Sequence, residues 1–254
     1  MPQRLENTVA LITGASSGIG EATAAMLAAE GAAVALVARR KDRLDDLVRR
    51  IAADGGNALA IECDVTDQVQ AAAAVAQSVE HFGRLDILFN NAGVMLLGAI
   101  ENAPLDEWNR MIDLNLKGLL YTAHAALPHL IAAAASSPRG VADLVNTSSV
   151  AGRTARLGTG VYNSTKWGVG AFSDSLRQEV TQRHVRVSLV EPGAVDTELT
   201  SHMRPEIREL AAQRFANIEQ LHADDVADAV TYIVTRPRHV TINELLIRPT
   251  QQRD

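Results

Sequence analysis

Short apolar runs alternate with longer segments of mixed polarity along the whole chain. The runs Thr8–Ile12, Ala33–Val37, Ala58–Glu62, Asp86–Asn90, Ala142–Thr147, Arg186–Glu191 and Glu244–Ile247 are aliphatic or β-branched and read as strands. Most are apolar throughout, as parallel strands buried on both faces are; Asp143 is the exception and marks a strand beginning. Between them lie amphipathic, often alanine-rich segments that predict helices: Ile19–Glu30, Asp42–Asp54, Asp67–Phe82, Leu105–Asn115, Leu116–Ala135, Val161–Arg183 and Ala223–Thr235. Asp67 suits an N-cap and Gly83 a helix stop. Strands alternating with helices predict an α/β fold: a doubly wound parallel sheet of about seven strands with helices on both faces. No linker, repeat or low-complexity tract divides the chain, so residues 1–254 read as one domain.

Composition narrows the function classes. A chain of 254 residues can bury a sizeable core. The net charge of −6 is mild and the signs are interspersed, so no basic stripe argues for a nucleic-acid or anionic-membrane partner. The single cysteine, Cys63, excludes an intramolecular disulfide and fits a reducing compartment, where it reads as a small buried residue near a strand end. Met1 to Asn7 lacks the apolar core of a signal peptide. The apolar stretch Gly118 to Ala135 is interrupted by His124, Pro128 and His129 and reads as a core helix, not a membrane span. The expectation is a soluble, cytoplasmic protein. No metal site is predicted.

The first strand runs into Thr13-Gly14-Ala15-Ser16-Ser17-Gly18-Ile19-Gly20, and a helix follows. Gly14 suits a tight turn, Gly18 a close approach of backbone to a ligand, and Gly20 the packing of helix on strand. Backbone N–H groups and the helix N-terminus then face a pyrophosphate, with Ser16 and Ser17 as added donors. A glycine-rich turn alone is a flexible loop, but its place at the first strand–helix junction predicts nucleotide binding. The second strand ends Val37-Ala38-Arg39-Arg40-Lys41, without the carboxylate that an unphosphorylated ribose needs. Its cations suit a 2′-phosphate, so the expected cofactor is NADP(H) over NAD(H), with Lys41 open to reading as a solvated helix start.

Tyr162 and Lys166 are four residues apart, which stacks a phenol and an ammonium on one helix face. The chain has only three tyrosines and three lysines. An adjacent cation lowers a phenol from its usual pKa of about 10 and fits it for proton transfer near neutral pH. Taken alone, the pair reads first as a surface neighbour contact on a helix.

In order along the chain, the Thr13–Gly20 turn, Asn90-Asn91-Ala92-Gly93, Asn115, Ser149, Tyr162/Lys166 and Pro192-Gly193 are similar to the motifs of the short-chain dehydrogenases/reductases. The resemblance covers essentially the whole chain and implies a single-domain Rossmann fold. It implies that Tyr162 is the general acid in reduction and the base in oxidation. Lys166 would lower its pKa and hold the nicotinamide ribose. Ser149, thirteen residues before Tyr162, would polarise the substrate carbonyl, with Ser148 as the competitor outside the family spacing. Asn115 would support a water in a proton relay; without the resemblance it reads as a polar residue satisfying backbone groups. Gly14, Ser16, Ser17, Gly18, Ile19, Gly20, Arg39 and Arg40 would hold the phosphates. Asn91, Ala92 and Gly93 would line the adenine-ribose side, and Asp64 and Val65 would meet the adenine, although Asp64 alone reads as a turn residue. Pro192 and Gly193 would lie against the nicotinamide, with Thr197 donating to its carboxamide.

Residues 196–221 are expected to form a mobile lid over the substrate. His202, Arg204 and Arg208 read either as partners of an anionic substrate or as solvated helix charge. Val94, Met95, Leu96, Val150, Ala151 and Leu157 are the expected apolar pocket wall. Several stretches, among them Gly93–Gly98, Met111–Asn115, Glu191–Gly193 and Ile247–Thr250, look closest to a bacterial subgroup. It contains clavulanate dehydrogenase, which reduces clavaldehyde, and the 3-hydroxy acid dehydrogenases of the serine/allo-threonine type. The first similarity is the closer, which implies a small aldehyde, ketone or alcohol as substrate. A 3-hydroxy acid is the alternative, and a non-catalytic dinucleotide sensor is the reading from another class. The resemblance also implies a homo-oligomer, tetramer or dimer, through Leu116–Ala135 and Val161–Arg183.

Overall fold

The computed structural model describes residues 3–215 and 217–253. Positions 1, 2 and 254 of the expected domain, and position 216 of the expected lid, lie outside the described residues. The elements alternate as β1 (Val9–Thr13), α1 (Gly18–Ala29), β2 (Ala33–Ala38), α2 (Lys41–Ala53), β3 (Asn57–Glu62), α3 (Gln68–Phe82), β4 (Ile87–Asn90), α4 (Leu105–Ile112) and α5 (Leu119–Ser136). Then follow β5 (Ala142–Thr147), α6 (Gly160–Val180), β6 (Val185–Pro192), α7 (Pro205–Phe215), α8 (Ala223–Val234) and β7 (Glu244–Ile247). The strands make one parallel sheet in the order β3-β2-β1-β4-β5-β6-β7. The direction of growth reverses between β1 and β4, and ligands bind beyond the strand C-termini at such a switch point.

Strand alternation sorts the apolar residues onto two faces. Ala10 and Ile12 of β1 pack with Leu27 of α1, Leu44 and Leu47 of α2, and Val226 and Val230 of α8. Val9 and Leu11 face the other way, toward Val75 of α3, Ala126 and Leu130 of α5, and Leu176 of α6. Leu11, Ile12, Leu36, Leu88 and Phe89 are fully buried, each worth about 1.5–3 kcal/mol over exposure. The edge strands are less covered: Leu246 of β7 is exposed. Asp67 caps α3 by accepting from the N–H groups of Val69 and Gln70, and Gly83 stops it at φ +79°.

Two buried carboxylates fasten the strand beginnings. Asp86, just before β4, accepts from Val9 N and from Arg84. Asp143 is the second residue of β5 and accepts from Arg139 at 2.7 Å and Arg186 at 2.6 Å. The expected break between helices at Asn115 and Leu116 is absent. α4 and α5 join through a π-helical turn, Asp113–Gly118. No proline interrupts that stretch, and its leucines stay apolar-periodic, so the extra residue is absorbed as a π-bulge. The joined helix Leu105–Ser136 is long and apolar enough by composition to cross a membrane. Here Ala123, Ala126, Leu130 and Ala133 bury one side of it against the sheet.

Candidate active site

The glycine-rich turn is built as its residue types demand. Gly14 has φ +68°, and a Cβ there would stand 2.9 Å from Ala92 Cα. At Gly20 a Cβ would fall 2.3 Å from the Gly14 carbonyl oxygen, so only glycine lets α1 start so close to the turn. Ser17 is the N-cap of α1 but caps no helical N–H with its side chain. The Ser17 hydroxyl instead accepts from Arg40 at 2.7 Å, and the Ser16 hydroxyl accepts from the same guanidinium at 2.9 Å. Thr13 accepts from the N–H groups of Asn91 and Ala92, which ties the end of β1 to the segment after β4.

The cation cluster at the end of β2 divides in three. Arg40 lies over the turn. Arg39 is exposed at the cavity edge, 4.0 Å from Asp64. Lys41 turns to Asp45 one helical turn on, so the solvated reading holds for it. Asp64 itself makes a local turn by accepting from Thr66 N and Thr66 Oγ1, while still lining the cavity beside Val65. The uncapped helix N-terminus, the two hydroxyls, the cations and the missing carboxylate fit a dinucleotide that carries a 2′-phosphate.

Ser149, Tyr162 and Lys166 come together at the C-terminal ends of β5 and β6. Tyr162 and Lys166 are both buried on α6, with the ammonium 5.8 Å from the ring centroid. Lys166 Nζ donates to the Thr147 carbonyl at 2.8 Å. The Ser149 hydroxyl accepts from Ala151 N at 3.1 Å and donates to the Pro192 carbonyl at 3.4 Å. The hydroxyl of its competitor Ser148 is buried and donates to the Lys166 carbonyl at 3.1 Å.

The expected direction of the Tyr162 shift is reversed in this structure. Burial pushes the phenol up to about 12, and the hydrogen bond with Ser149 offsets only part of it. Burial likewise pushes Lys166 down to about 8. The desolvated ammonium, 5.8 Å from the ring centroid, does not cancel the cost of burying a phenolate.

Asn115 is buried in the π-turn. Its Oδ1 accepts from Val94 N and its Nδ2 donates to Val94 O, both at 2.8 Å, with Thr165 at 3.3 Å. Its side chain therefore satisfies backbone groups, and Val94 is pinned beside the site.

Of the predicted site residues, all but Gly20 and Asn115 line one cavity of about 1330 Å³. Val94, Met95, Val150, Ala151 and Leu157 form wall as expected, joined by Leu97 and Ile100. Leu96 does not: it is buried in a cluster with Met111, whose sulfur accepts from its N–H. Over the cavity, the lid segment is closed at its base, since Asp196 N donates to Leu221 O and Leu221 N to Ala194 O. His202 and Arg208 line the cavity. Arg204 does not, because it is drawn away to Glu107 and Glu206. Burial, and then the charges of Arg110, Arg40 and Arg39, hold His202 below its usual pKa. Thr197 accepts from Leu199 N and starts the lid's first turn.

Three supports were not legible beforehand. Gln252 accepts from Ala194 N at 2.9 Å and so holds the turn after Pro192-Gly193. Arg153 joins the turn after Ser149 to buried Glu191 of β6. A buried chain runs Thr122, Asn90, Asn146 and Ser173, fixing α5 and α6 to the sheet. Asn146 within an apolar strand was a signal for the last; nothing local marked the other two.

The sequence profile of the family described as short chain dehydrogenase matches residues 8–208. An uncharacterized oxidoreductase of Staphylococcus aureus (strain MRSA252) is 36% identical over 245 residues, covering 96% of this chain and 98% of its own. An alcohol dehydrogenase from the archaeon Thermococcus sibiricus, solved with 5-hydroxy-NADP, superposes with TM-score 0.85 at 30% identity, covering 97% and 98% of the two chains. The closed form of serine dehydrogenase with NADP+ superposes with TM-score 0.87 at 32% identity, covering 96% of each.

Proposed function

The chain belongs to the short-chain dehydrogenase family and is an NADP(H)-dependent oxidoreductase of carbonyl and alcohol groups; from that premise we propose that its substrate pair is a small 3-hydroxy acid and the matching 3-oxo acid. This inverts the order expected from the sequence, which put a neutral aldehyde or ketone first. The observation that carries the reading is the joint placement of Ser149 and Tyr162 in a cavity whose lid side presents Arg208 and His202. The likeness to serine dehydrogenase supports it.

NADP(H), when bound, supplies or takes the hydride. The chain's own residues manage the oxygen. Ser149 donates a hydrogen bond to the carbonyl oxygen, where negative charge develops during reduction. Tyr162 gives that oxygen its proton, and in oxidation takes the hydroxyl proton back. Lys166, anchored on Thr147, keeps a positive charge near the phenol. Asn115 acts through the Val94 backbone, which it fixes on the cavity wall.

With NADP+ and absorbance at 340 nm, 3-hydroxy acids should give kcat/KM at least about tenfold above their methyl esters, the effect of one charge-assisted contact. Equal rates for acid and ester refute the substrate class. A second reading, a neutral aldehyde or ketone of the clavaldehyde kind in specialised metabolism, draws on the apolar wall of Val94, Met95, Leu97 and Ile100. Dinucleotide binding with no turnover of either class would support a sensor. The proposed homo-oligomer would use α5 and α6, where Trp167 stands 53% exposed; a monomer by light scattering contradicts it.

A further inference from the structure

The lid is fastened to the cofactor side of the cleft through one carboxylate. Glu198 begins the 3₁₀ turn Glu198–His202, directly after Thr197. Its Oε2 accepts from Arg40 at 2.8 Å and its Oε1 accepts from Arg43 at 2.7 Å. The two guanidiniums hold its carboxyl down to about 2, so it is ionised at any working pH. Arg40 gives its remaining donors to Ser16 and Ser17 of the glycine-rich turn. Beside Glu198, the Thr197 methyl lies 3.0 Å from where a Cβ on Gly18 would stand. The lid's first turn thus bridges the phosphate-binding turn and the cations after β2. An anion already sits on Arg40, one of the two guanidiniums expected to take a 2′-phosphate, and on its neighbour Arg43.

We propose that Glu198 is a determinant of cofactor selection: its carboxylate holds Arg40 and Arg43 in the free protein, and the 2′-phosphate of NADP(H) competes for them and unfastens the lid's first turn. A dinucleotide without that phosphate brings no competitor and leaves the lid fastened. The coupling is reciprocal, so whatever removes the carboxylate strengthens phosphate binding. The proposal rests on the NADP(H) assignment of the same cleft.

The test is calorimetric binding of NADPH, NADH, 2′-AMP and 5′-AMP to wild type and to Glu198→Gln, with trypsin digestion of the 196–221 segment alongside. Glu198 is half-exposed, so the substitution leaves the core untouched. The variant should bind NADPH and 2′-AMP roughly 3- to 10-fold tighter, the scale of two half-exposed ion pairs. NADH and 5′-AMP should change by less than about twofold. Wild-type lid cleavage should accelerate with NADP+ but not NAD+, and the variant should already be cut quickly in the absence of any dinucleotide. Weaker NADPH binding in the variant, or equal changes for NADPH and NADH, overturns the role of Glu198 alone. A wild-type protein that binds NADH more tightly than NADPH overturns the cofactor assignment and the proposal with it.

Discussion

The floor of the cavity and its lid are held by different forces. On the floor, Lys166, Asn115 and Ser148 are buried and donate to backbone carbonyls of β5, the Val94 segment and α6. Removing Asn115 or Ser148 leaves a buried group unpaired, which is costly, whereas at Lys166 that loss is set against the cost of burying an ammonium. The segment 196–221 is attached by half-exposed ion pairs, Glu198 to Arg40 and Arg43 and Arg204 to Glu206, besides the more buried pair of Arg204 with Glu107. Pairs of that kind contribute about 0–1 kcal/mol each and yield to salt or a competing anion. The difference matches the division of labour we propose, in which a firmly bonded floor holds the proton-transfer geometry and a weakly tethered segment 196–221 admits ligands.

The largest effect should come from the floor. Tyr162→Phe should lower kcat by about 10³-fold or more while NADPH still binds, read by single turnover and calorimetry. Comparable turnover in that variant would dissolve the distinction. Next, Asn115→Leu should cost about 3 kcal/mol in urea unfolding, because it strands the N–H and C=O of Val94. A loss below about 1 kcal/mol would mean that the π-turn does not depend on these bonds.

Lys166→Met should stabilise the fold at pH 7, on the order of 2 kcal/mol, by removing a buried ammonium. The folded-state pKa of Lys166 lies at about 8, below its ordinary 10.5. Between those values the unfolded chain binds the extra proton, so wild-type stability rises with pH. The burial cost is therefore full below pH about 8 and fades toward pH 10.5, and the advantage of the variant should fade with it. A gain independent of pH between 7 and 10 would contradict the burial account. The smallest effect belongs to the exposed pairs of that segment: Glu206→Gln, which removes one exposed partner of Arg204, should leave Tm within a few degrees and kcat nearly unchanged, read by thermal melting and steady-state kinetics.

The same contrast explains what could be read from the chain beforehand. Strands were legible to within a residue, because apolar strands such as those of Leu11, Leu36 and Leu88 leave one way to bury both faces, whereas helix ends were missed by three residues at the π-turn between α4 and α5 and at the end of α6. Ser149, Tyr162 and Lys166 were legible as local spacings on adjoining elements. The protonation balance of Tyr162 was not, since burial is a tertiary property that no spacing carries. Leu96 looked like pocket wall because its neighbours are, but Met111 from α4 covers it. Arg204 looked like a free cation until Glu107, 97 residues away in sequence, was placed beside it. Gln252 had no local signal at all, because its role is to hold a turn 58 residues upstream.

One measurement addresses the division directly: the ratio of kcat/KM for a 3-hydroxy acid to that for its methyl ester, with NADP+, in wild type, Ser149→Ala and Arg208→Gln. Ser149→Ala should depress both substrates by the same factor, about 10²-fold, and leave the ratio unchanged. Arg208→Gln should depress only the acid and bring the ratio toward one. A ratio altered by Ser149→Ala, or acid and ester falling equally in Arg208→Gln, would contradict the separation of floor from lid.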